Sequence, residues 1–365
     1  MAISEKDILK ALSTVEEPDL KQDLVTLGMV KDIAINGEEI AFTVVLTTPA
    51  CPLKELIKKN CADAIHTYIG SQYKVEIKLT AEVTSGRHGS GPLLPHVKNI
   101  IAVASGKGGV GKSTVTANLA VALAQSGAKV GLIDADISGP SIPTMFGIEG
   151  EQPMMTQIEG KEYIVPIEKY GIEVISIGLL IPADNAVVWR GPMASSALRQ
   201  FFGDVYWGEL DYLLIDLPPG TGDIHLTLVQ SVPVTGAVLV TTPQKVATTD
   251  AQKGLSMFKQ AQINVPVLGV VENMAYFTPE ELPNNKYYIF GKDGGKKLAE
   301  KNQVPFLGEI PLVQSVREAG DEGIPVVMNN EIVSEAFEKL AESVARQVAI
   351  RNATTEKTKK VDILV

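Results

Sequence analysis

The stretch that decides the fold is Ser105-Gly-Lys-Gly-Gly-Val-Gly-Lys-Ser-Thr114. It satisfies the phosphate-loop pattern G-x-x-x-x-G-K-[ST], with Gly106, Gly111, Lys112 and Ser113 at the specified positions. A short apolar run precedes the stretch and a helical pattern follows it, so the loop is predicted to join a buried strand to a helix. The sequence therefore predicts a loop that binds a nucleoside triphosphate.

The residue types in this loop suit phosphate chemistry. Glycines let successive backbone N–H groups approach a phosphate chain without a side chain in the way. We expect Lys112 to place a positive charge on the outer phosphates and Ser113 to offer its hydroxyl to Mg²⁺, next to the positive end of the helix. The predicted nucleotide-binding residues are Gly106, Lys107, Gly108, Gly109, Val110, Gly111, Lys112, Ser113 and Thr114.

Two further apolar runs end in aspartates. One run is 129–134, which continues into Asp136, and the other is 211–216. Because the carboxyl ends of parallel strands lie beside the phosphate loop, we predict that Asp216 and Asp134 serve Mg²⁺, directly or through water. Asp136 is the predicted residue that orients the attacking water. The alternative for Asp134 or Asp136 alone is a cap of the following turn.

Composition indicates an α/β protein. Of 365 residues, 45% are hydrophobic and only 5% aromatic, which is typical of a parallel sheet. The net charge of -10 has the wrong sign for sequence-independent binding of nucleic acid. We expect no membrane span and no signal peptide, because no apolar run is long enough. Two cysteines do not make a disulfide framework, so we predict a cytoplasmic protein.

A linker divides the chain. The segment from Thr84 to Pro92 mixes Gly, Ser and Pro with no apolar periodicity, which predicts a domain boundary. The expected organisation is a small α+β domain at 1–83, a linker at 84–96, an α/β P-loop NTPase domain at 97–350 and a C-terminal tail at 351–365. In the large domain we expect a mostly parallel sheet flanked by helices.

A second lysine inside the loop narrows the class. The run from Lys107 to Thr114 resembles the deviant Walker A motif of the MinD, ParA and nitrogenase iron-protein class. The resemblance implies a homodimer in which Lys107 reaches the partner's nucleotide and acts in catalysis with Lys112 and Asp136. It also implies that Asn273, at the end of a later strand, binds the adenine.

The resemblance extends over nearly the whole chain. Glu17-Pro-Asp19 and Thr48-Pro-Ala-Cys-Pro52 are similar to the MIP-type domain, and that domain joined to such an ATPase resembles the Mrp/ApbC iron–sulfur carrier ATPases. The family's other signatures correspond to Asp136–Pro143, Trp189–Met193, Asp216–Asp223 and Glu272–Met274. The resemblance implies a cytosolic homodimer that hydrolyses ATP and passes an iron–sulfur cluster to apoproteins, with assembly scaffold proteins as further partners.

The chain departs from that family's pattern in its cysteines. Typical members carry a Cys-x-x-Cys pair at the stretch that here reads 275–283 and contains no cysteine. With Pro52 predicted at the first helical position, the Cys51 thiol would sit at a helix N-cap, which favours the thiolate. Cys51 is therefore the candidate cluster ligand, with the other ligands from elsewhere, such as the receiving protein. The alternative is that Cys51 is a buried packing residue. Cys61 is expected to be a small core or surface residue.

The missing cysteine pair leaves another class of function open. A ParA/MinD-type positioning protein, or an adaptor that uses ATP to recruit partners, would need no cluster of its own. The acidic charge, the MIP-type segments and the Pro218-Pro-Gly-Thr-Gly-Asp223 stretch, a predicted γ-phosphate switch, favour the carrier.

Overall fold

The computed structural model describes residues 3–361 of the chain except 88–92, 182–188, 280, 283 and 330. Contacts divide these residues into two units. The first contains the described residues up to Thr84 together with Ala349–Thr355, and the second contains Ser85–Val348 and the residues from Glu356 onward. The centre of the predicted linker, 88–92, lies outside the described residues.

The first unit is a small α+β fold, as predicted. Its strand β4 pairs antiparallel with β3 and parallel with β5, and buried side chains of both helices complete its core. The elements are α1 (Glu5–Leu12), β1 (Glu16–Glu17), β2 (Gln22–Asp23), β3 (Val30–Asn36), β4 (Glu39–Leu46), α2 (Lys54–Tyr68) and β5 (Lys74–Ala81).

The second unit alternates strands with helices. Its elements are β6 (Val97–Ser105), α3 (Lys112–Gln125), β7 (Val130–Asp134), α4 (Ile142–Met145), β8 (Met155–Ile158), β9 (Lys161–Ile164), β10 (Ile167–Lys169), β11 (Ile172–Ser176), α5 (Gly191–Gly203), β12 (Leu210–Asp216), α6 (Asp223–Ser231), β13 (Gly236–Thr241), α7 (Lys245–Phe258), β14 (Val267–Glu272), α8 (Gly294–Asn302), β15 (Phe306–Glu309), α9 (Gln314–Glu322) and α10 (Glu331–Thr354), whose last turns belong to the first unit.

An eight-stranded sheet forms the centre of this unit, in the order β10-β11-β7-β12-β6-β13-β14-β15. Every neighbouring pair is parallel except β10 with β11. Strand β6 is buried along almost its whole length because apolar strands and helices cover it on all sides. The mostly parallel sheet confirms the predicted α/β class. The carboxyl ends of β6, β7 and β12 lie together at one edge of the sheet, and this edge positions the site.

The last turn of α10 lies within the segment predicted as a C-terminal tail. Helix α10 continues to Thr354, past the expected start of the tail at 351, and Arg351 is buried. Beyond it, Thr358 N donates to the Gly86 carbonyl (2.9 Å) and Val361 N to the Val229 carbonyl (2.9 Å). The polar composition of this segment gave no indication of these backbone hydrogen bonds. Among the helices of the described ranges, none combines the length and apolar character that crossing a bilayer requires.

Candidate functional site

The phosphate loop lies between β6 and α3, and its glycines are required by geometry. Gly109 and Gly111 have φ values of 79° and 76°, in the left-handed region that favours glycine. A Cβ on Gly106 would lie 2.1 Å from the backbone carbonyl carbon of Asp250 in α7. No side chain fits there, so the loop keeps its backbone N–H groups accessible, which suits a phosphate chain.

The side chains predicted for phosphate and Mg²⁺ converge on one carboxylate. Lys112 Nζ lies 2.7 Å from Asp216 Oδ2, and both side chains are buried. Ser113 donates its hydroxyl to the same oxygen (2.6 Å), and Thr116 donates to Asp216 Oδ1 (2.7 Å). Hydroxyl and carboxylate oxygens are the hard ligands that Mg²⁺ takes in proteins, so the residues present fit this cation.

Thr116 is a site residue that the phosphate-loop pattern does not identify. It lies three residues after Ser113 on α3, a spacing that places both side chains on the same face of a helix. Helical spacing from Ser113, combined with the phosphate-loop pattern, is the sequence feature that points to Thr116.

Asp134 lies next to Asp216 in the sheet, as the two strand ends predicted. The residues are paired in the β7–β12 register. The Asp134 carboxylate accepts hydrogen bonds from Ile142 N (3.2 Å), Ser176 Oγ (3.1 Å) and Asp136 N (3.2 Å). Burial, with the nearby Asp216 carboxylate, raises the pKa of Asp134 to about 7. Ser176 was not predicted, because it comes from β11 on the far side of β7.

Asp136 and Lys107 differ in their surroundings. Asp136 is half-buried, and burial raises the pKa of its carboxyl, while the charge of Lys112 acts in the opposite direction. Lys107 is exposed, and its carbonyl accepts a hydrogen bond from Ser105 Oγ (3.0 Å). No ion pair involves Lys107 within the described residues. Its ammonium group is therefore accessible to a partner molecule.

Asn273 is buried at the end of β14 and contacts the phosphate loop itself. Its amide Nδ2 donates to the Val110 carbonyl (2.9 Å), and a Cβ on Gly111 would lie 2.2 Å from the same nitrogen. The side chain therefore helps to fix the loop, and binding of adenine by Asn273 stays a prediction.

The predicted switch at 218–223 is hydrogen-bonded to the carboxyl end of β6. Gly220, with a φ of 91°, donates its N–H to the Ser105 carbonyl (2.9 Å). Asp223, the last residue of the switch, approaches Gly191 of the 189–193 signature, where a Cβ would lie 2.8 Å from Asp223 Oδ2. Two signatures that are more than twenty residues apart in sequence thus meet in space.

His225 occupies the first turn of α6, immediately after the switch, and the sequence assigned it no role. It is 1% exposed, packs against Phe258 with ring centroids 6.5 Å apart, and neither ring nitrogen has a hydrogen-bond partner among the described residues. Burial lowers the pKa of His225 to about 4. The folded protein therefore holds this imidazole neutral.

We expect stability to fall on acidification because of His225. Between pH 6.5 and pH 4 the unfolded chain binds a proton that the folded chain does not, so the free energy of unfolding decreases as pH falls through this window. Between pH 7 and pH 5, the free energy of unfolding should fall by about 2 kcal/mol less in His225→Leu than in the wild type. Urea unfolding followed by tryptophan fluorescence measures it, because Trp189 and Trp207, the chain's two tryptophans, lie in this unit.

The matched control for this measurement is His96→Leu, which removes an exposed histidine from the same unit. On acidification from pH 7 to pH 5, the free energy of unfolding of His96→Leu should fall by as much as that of the wild type. An equal loss in His225→Leu and the wild type would contradict the assignment.

The position predicted for Cys51 is wrong. Helix α2 begins at Lys54 with Leu53 as N-cap, so Cys51 precedes the cap and the dipole argument does not apply to it. The reason is local: Ala50 N donates to Thr48 Oγ1 (3.2 Å), and this turn competes with an earlier helix start. Cys51 is 8% exposed in the core of the first unit. Cys61 is fully buried in α2, and burial raises the pKa of its thiol to about 12.

Comparison with known proteins agrees with the site. The sequence profile of the family described as NUBPL iron-transfer P-loop NTPase matches residues 96–348. A second profile, described as iron-sulfur cluster assembly protein, matches residues 5–78. Together the two profiles cover most of both structural units.

Curated relatives align with this chain over almost the full length of both proteins. A protein of Synechocystis sp. named iron-sulfur cluster carrier protein is 49% identical over 348 residues, 94% of this chain and 96% of that protein. The protein of the same name from Escherichia coli is 44% identical, covering 92% and 90%. A solved nucleotide-binding protein of Archaeoglobus fulgidus in complex with ADP is 41% identical, with a TM-score of 0.56 over 65% of this chain and 91% of that one. The chain belongs to the NUBPL iron-transfer P-loop NTPase family.

Proposed function

We propose that this protein is an ATPase that carries an iron–sulfur cluster as cargo and delivers it to apoproteins. The observation that carries the proposal is that one chain joins an intact phosphate-loop site to a cluster-assembly domain. The same chain aligns with nearly the full length of a relative named as a carrier. The proposed carrier is a cytoplasmic homodimer, with an assembly domain at 1–83 and an ATPase domain at 97–350.

The ATPase half of the proposal uses the site residues as follows. Lys112 and the loop N–H groups hold the phosphates, while Ser113 and Asp216 hold Mg²⁺, which supplies charge neutralisation at the transferred phosphoryl group. Asp134 supports the cation through water. Asp136 orients the attacking water, and Lys107 is supplied to the nucleotide of the partner subunit.

The cargo half of the proposal requires thiolates. Cys51 and Cys61 are the chain's two cysteines, and no group of three or more His, Cys, Asp or Glu side chains able to hold a metal occurs in the described ranges. The Cys61 thiol is fully buried within the core of the first unit, whereas Cys51 is 8% exposed, so Cys51 is the ligand that this chain offers in the proposal. Two copies in a dimer give two thiolates, so scaffold or acceptor proteins complete the set.

Anaerobic reconstitution with iron and sulfide tests this assignment. The wild type and Cys61→Ala should bind iron and acid-labile sulfide in equal amounts per dimer, whereas Cys51→Ala should lose at least about nine-tenths of both, because a cluster needs thiolate ligands. Cys61→Ala is the matched control, since it removes the other buried thiol of the same unit. Equal loading of Cys51→Ala and the wild type would rule out Cys51 as a ligand.

A further inference from the structure

The buried histidine behind the switch has polar atoms that the described conformation does not use. His225 is 1% exposed, and both ring nitrogens are shielded from solvent without a hydrogen-bond partner among the described residues. A neutral imidazole carries one N–H donor and one acceptor nitrogen. Because burying such groups unpaired costs free energy, a conformation that gives the ring a partner is favoured over one that does not.

An acceptor for this ring belongs to the switch itself. The Gly222 carbonyl accepts the backbone N–H of His225 (3.1 Å), and a carbonyl oxygen has a second lone pair for another donor. Burial lowers the pKa of His225 to about 4, the Gly222 carbonyl acts in the opposite direction, and the charge of Lys112 lowers the pKa further. The carbonyl and the ring are thus close without hydrogen-bond geometry, and a small movement at Gly222 would complete the bond.

The switch that contains Gly222 lies against the phosphate loop. Gly220 N donates to the Ser105 carbonyl (2.9 Å), which fixes the middle of the switch to the end of β6. A Cβ on Gly108 of the loop would lie 3.9 Å from Pro219 Cγ. A change in the direction of the switch peptides would therefore be felt where the phosphate chain is predicted to bind.

Helix α7 supports the His225 ring, and the switch has room to move. The ring packs against Phe258 of α7, and the same helix lies so close to the phosphate loop that Gly106 has no space for a side chain. A cavity of about 490 Å³ is lined by Thr221 of the switch and by residues of α7. Thr221 and Gly222 are exposed, so the switch can shift without displacing packed side chains.

We propose that His225 is a positioning residue for ATP hydrolysis, whose ring N–H binds the Gly222 carbonyl when the switch closes on the γ-phosphate. The inference rests on the proposed ATPase activity and names a residue that controls it. The negative charge of the γ-phosphate attracts the N–H groups of the switch. Since the C=O and N–H of a trans peptide point in opposite directions, a bond to the Gly222 carbonyl fixes the direction of the Asp223 N–H.

Titration with ADP and with a non-hydrolysable ATP analogue, each with Mg²⁺, tests the inference. His225→Leu removes the donor and keeps an apolar side chain against Phe258. The Kd for the analogue should rise about tenfold while that for ADP stays within about twofold, because ADP lacks the phosphate on which the switch closes. ATP hydrolysis should fall about tenfold or more. His225→Gln, whose amide can donate to the same carbonyl, should restore both values to within about threefold of the wild type.

Thr227→Val is the matched control for these variants. It removes a buried hydroxyl of the same helix, which donates to Ser195 Oγ (2.8 Å) in α5 and not to the switch. Its Kd values and its hydrolysis rate should equal those of the wild type, and tryptophan fluorescence shows whether each variant is folded.

Proton NMR of the imidazole N–H signals gives a readout in the wild type itself. A hydrogen-bonded ring N–H of His225, identified by its absence from the His225→Gln spectrum, should appear with the ATP analogue and not with ADP.

Three results would overturn the role of His225. They are an unchanged Kd for the analogue in His225→Leu, an equal rise in the Kd values for the analogue and ADP, and a His225→Gln variant no more active than His225→Leu. A wild-type complex with the analogue that lacks the hydrogen-bonded ring N–H would overturn it without any substitution. A wild type that binds the analogue but hydrolyses no ATP would instead contradict the proposed ATPase activity.

Discussion

Replacing Lys112 by alanine is expected to reduce ATP hydrolysis by at least about a hundredfold. The substitution removes the charge predicted to hold the outer phosphates, and it also deprives the buried Asp216 carboxylate of its ion-pair partner at 2.7 Å. Binding of ATP should weaken along with hydrolysis. Phosphate release and titration with a fluorescent ATP analogue measure the two effects.

Lys129→Ala is the matched control for this substitution. Lys129 lies in the same unit and pairs with Glu209 at 3.4 Å, but both side chains are mostly exposed, so its loss should change neither hydrolysis nor binding. Tryptophan fluorescence shows whether the Lys112→Ala protein is folded. A folded variant that hydrolyses ATP at the wild-type rate would refute the assignment of the phosphate loop.

Replacing Lys107 by alanine should separate turnover from affinity. Because this lysine is exposed and contacts no carboxylate that the structure describes, its removal should leave the Kd for ATP within about threefold. Hydrolysis should fall about a thousandfold, the effect typical of a cation supplied from another molecule to the transferred phosphoryl group. An equal collapse of binding and turnover would place Lys107 on its own subunit's nucleotide instead.

Mixing the two variants tests the composite site directly. A dimer of one Lys107→Ala and one Lys112→Ala subunit has one complete site, which combines Lys112 of the first subunit with Lys107 of the second. Random pairing makes half of the dimers mixed, so activity should return to about one quarter of the wild-type rate. No recovery in a mixture that demonstrably exchanges subunits would exclude the cross-subunit role.

Strong local patterns predicted most of the fold. The P-loop pattern and the apolar runs before Asp134 and Asp216 correctly placed β6, β7, β12 and α3, because a short apolar run bounded by turn residues is typical of a buried strand. The β8–β9 hairpin was not predicted. Its signal was the pair Glu159 and Gly160, which both have positive φ, as a tight hairpin turn requires.

The site was predicted less completely than the fold. Spacing along the chain identified Lys112, Ser113 and Asp216, whereas Ser176 reaches Asp134 through a strand order that the sequence does not reveal. The start of α2 was misplaced because helix boundaries depend on competing local hydrogen bonds, here the turn at Thr48. Burial, which keeps His225 neutral and the Cys61 thiol protonated, became visible only in three dimensions.

Transfer of the cluster to an acceptor protein tests whether this ATPase delivers an iron–sulfur cluster. The cluster-loaded wild type would be mixed anaerobically with an iron-free acidic ferredoxin, ATP and Mg²⁺, with an iron chelator present to capture any released metal. We expect the acceptor to gain its cluster, at a rate that Lys112→Ala reduces and the chelator does not. An acceptor that stays iron-free, or that is filled only when the chelator is omitted, would show that this protein does not deliver the cluster.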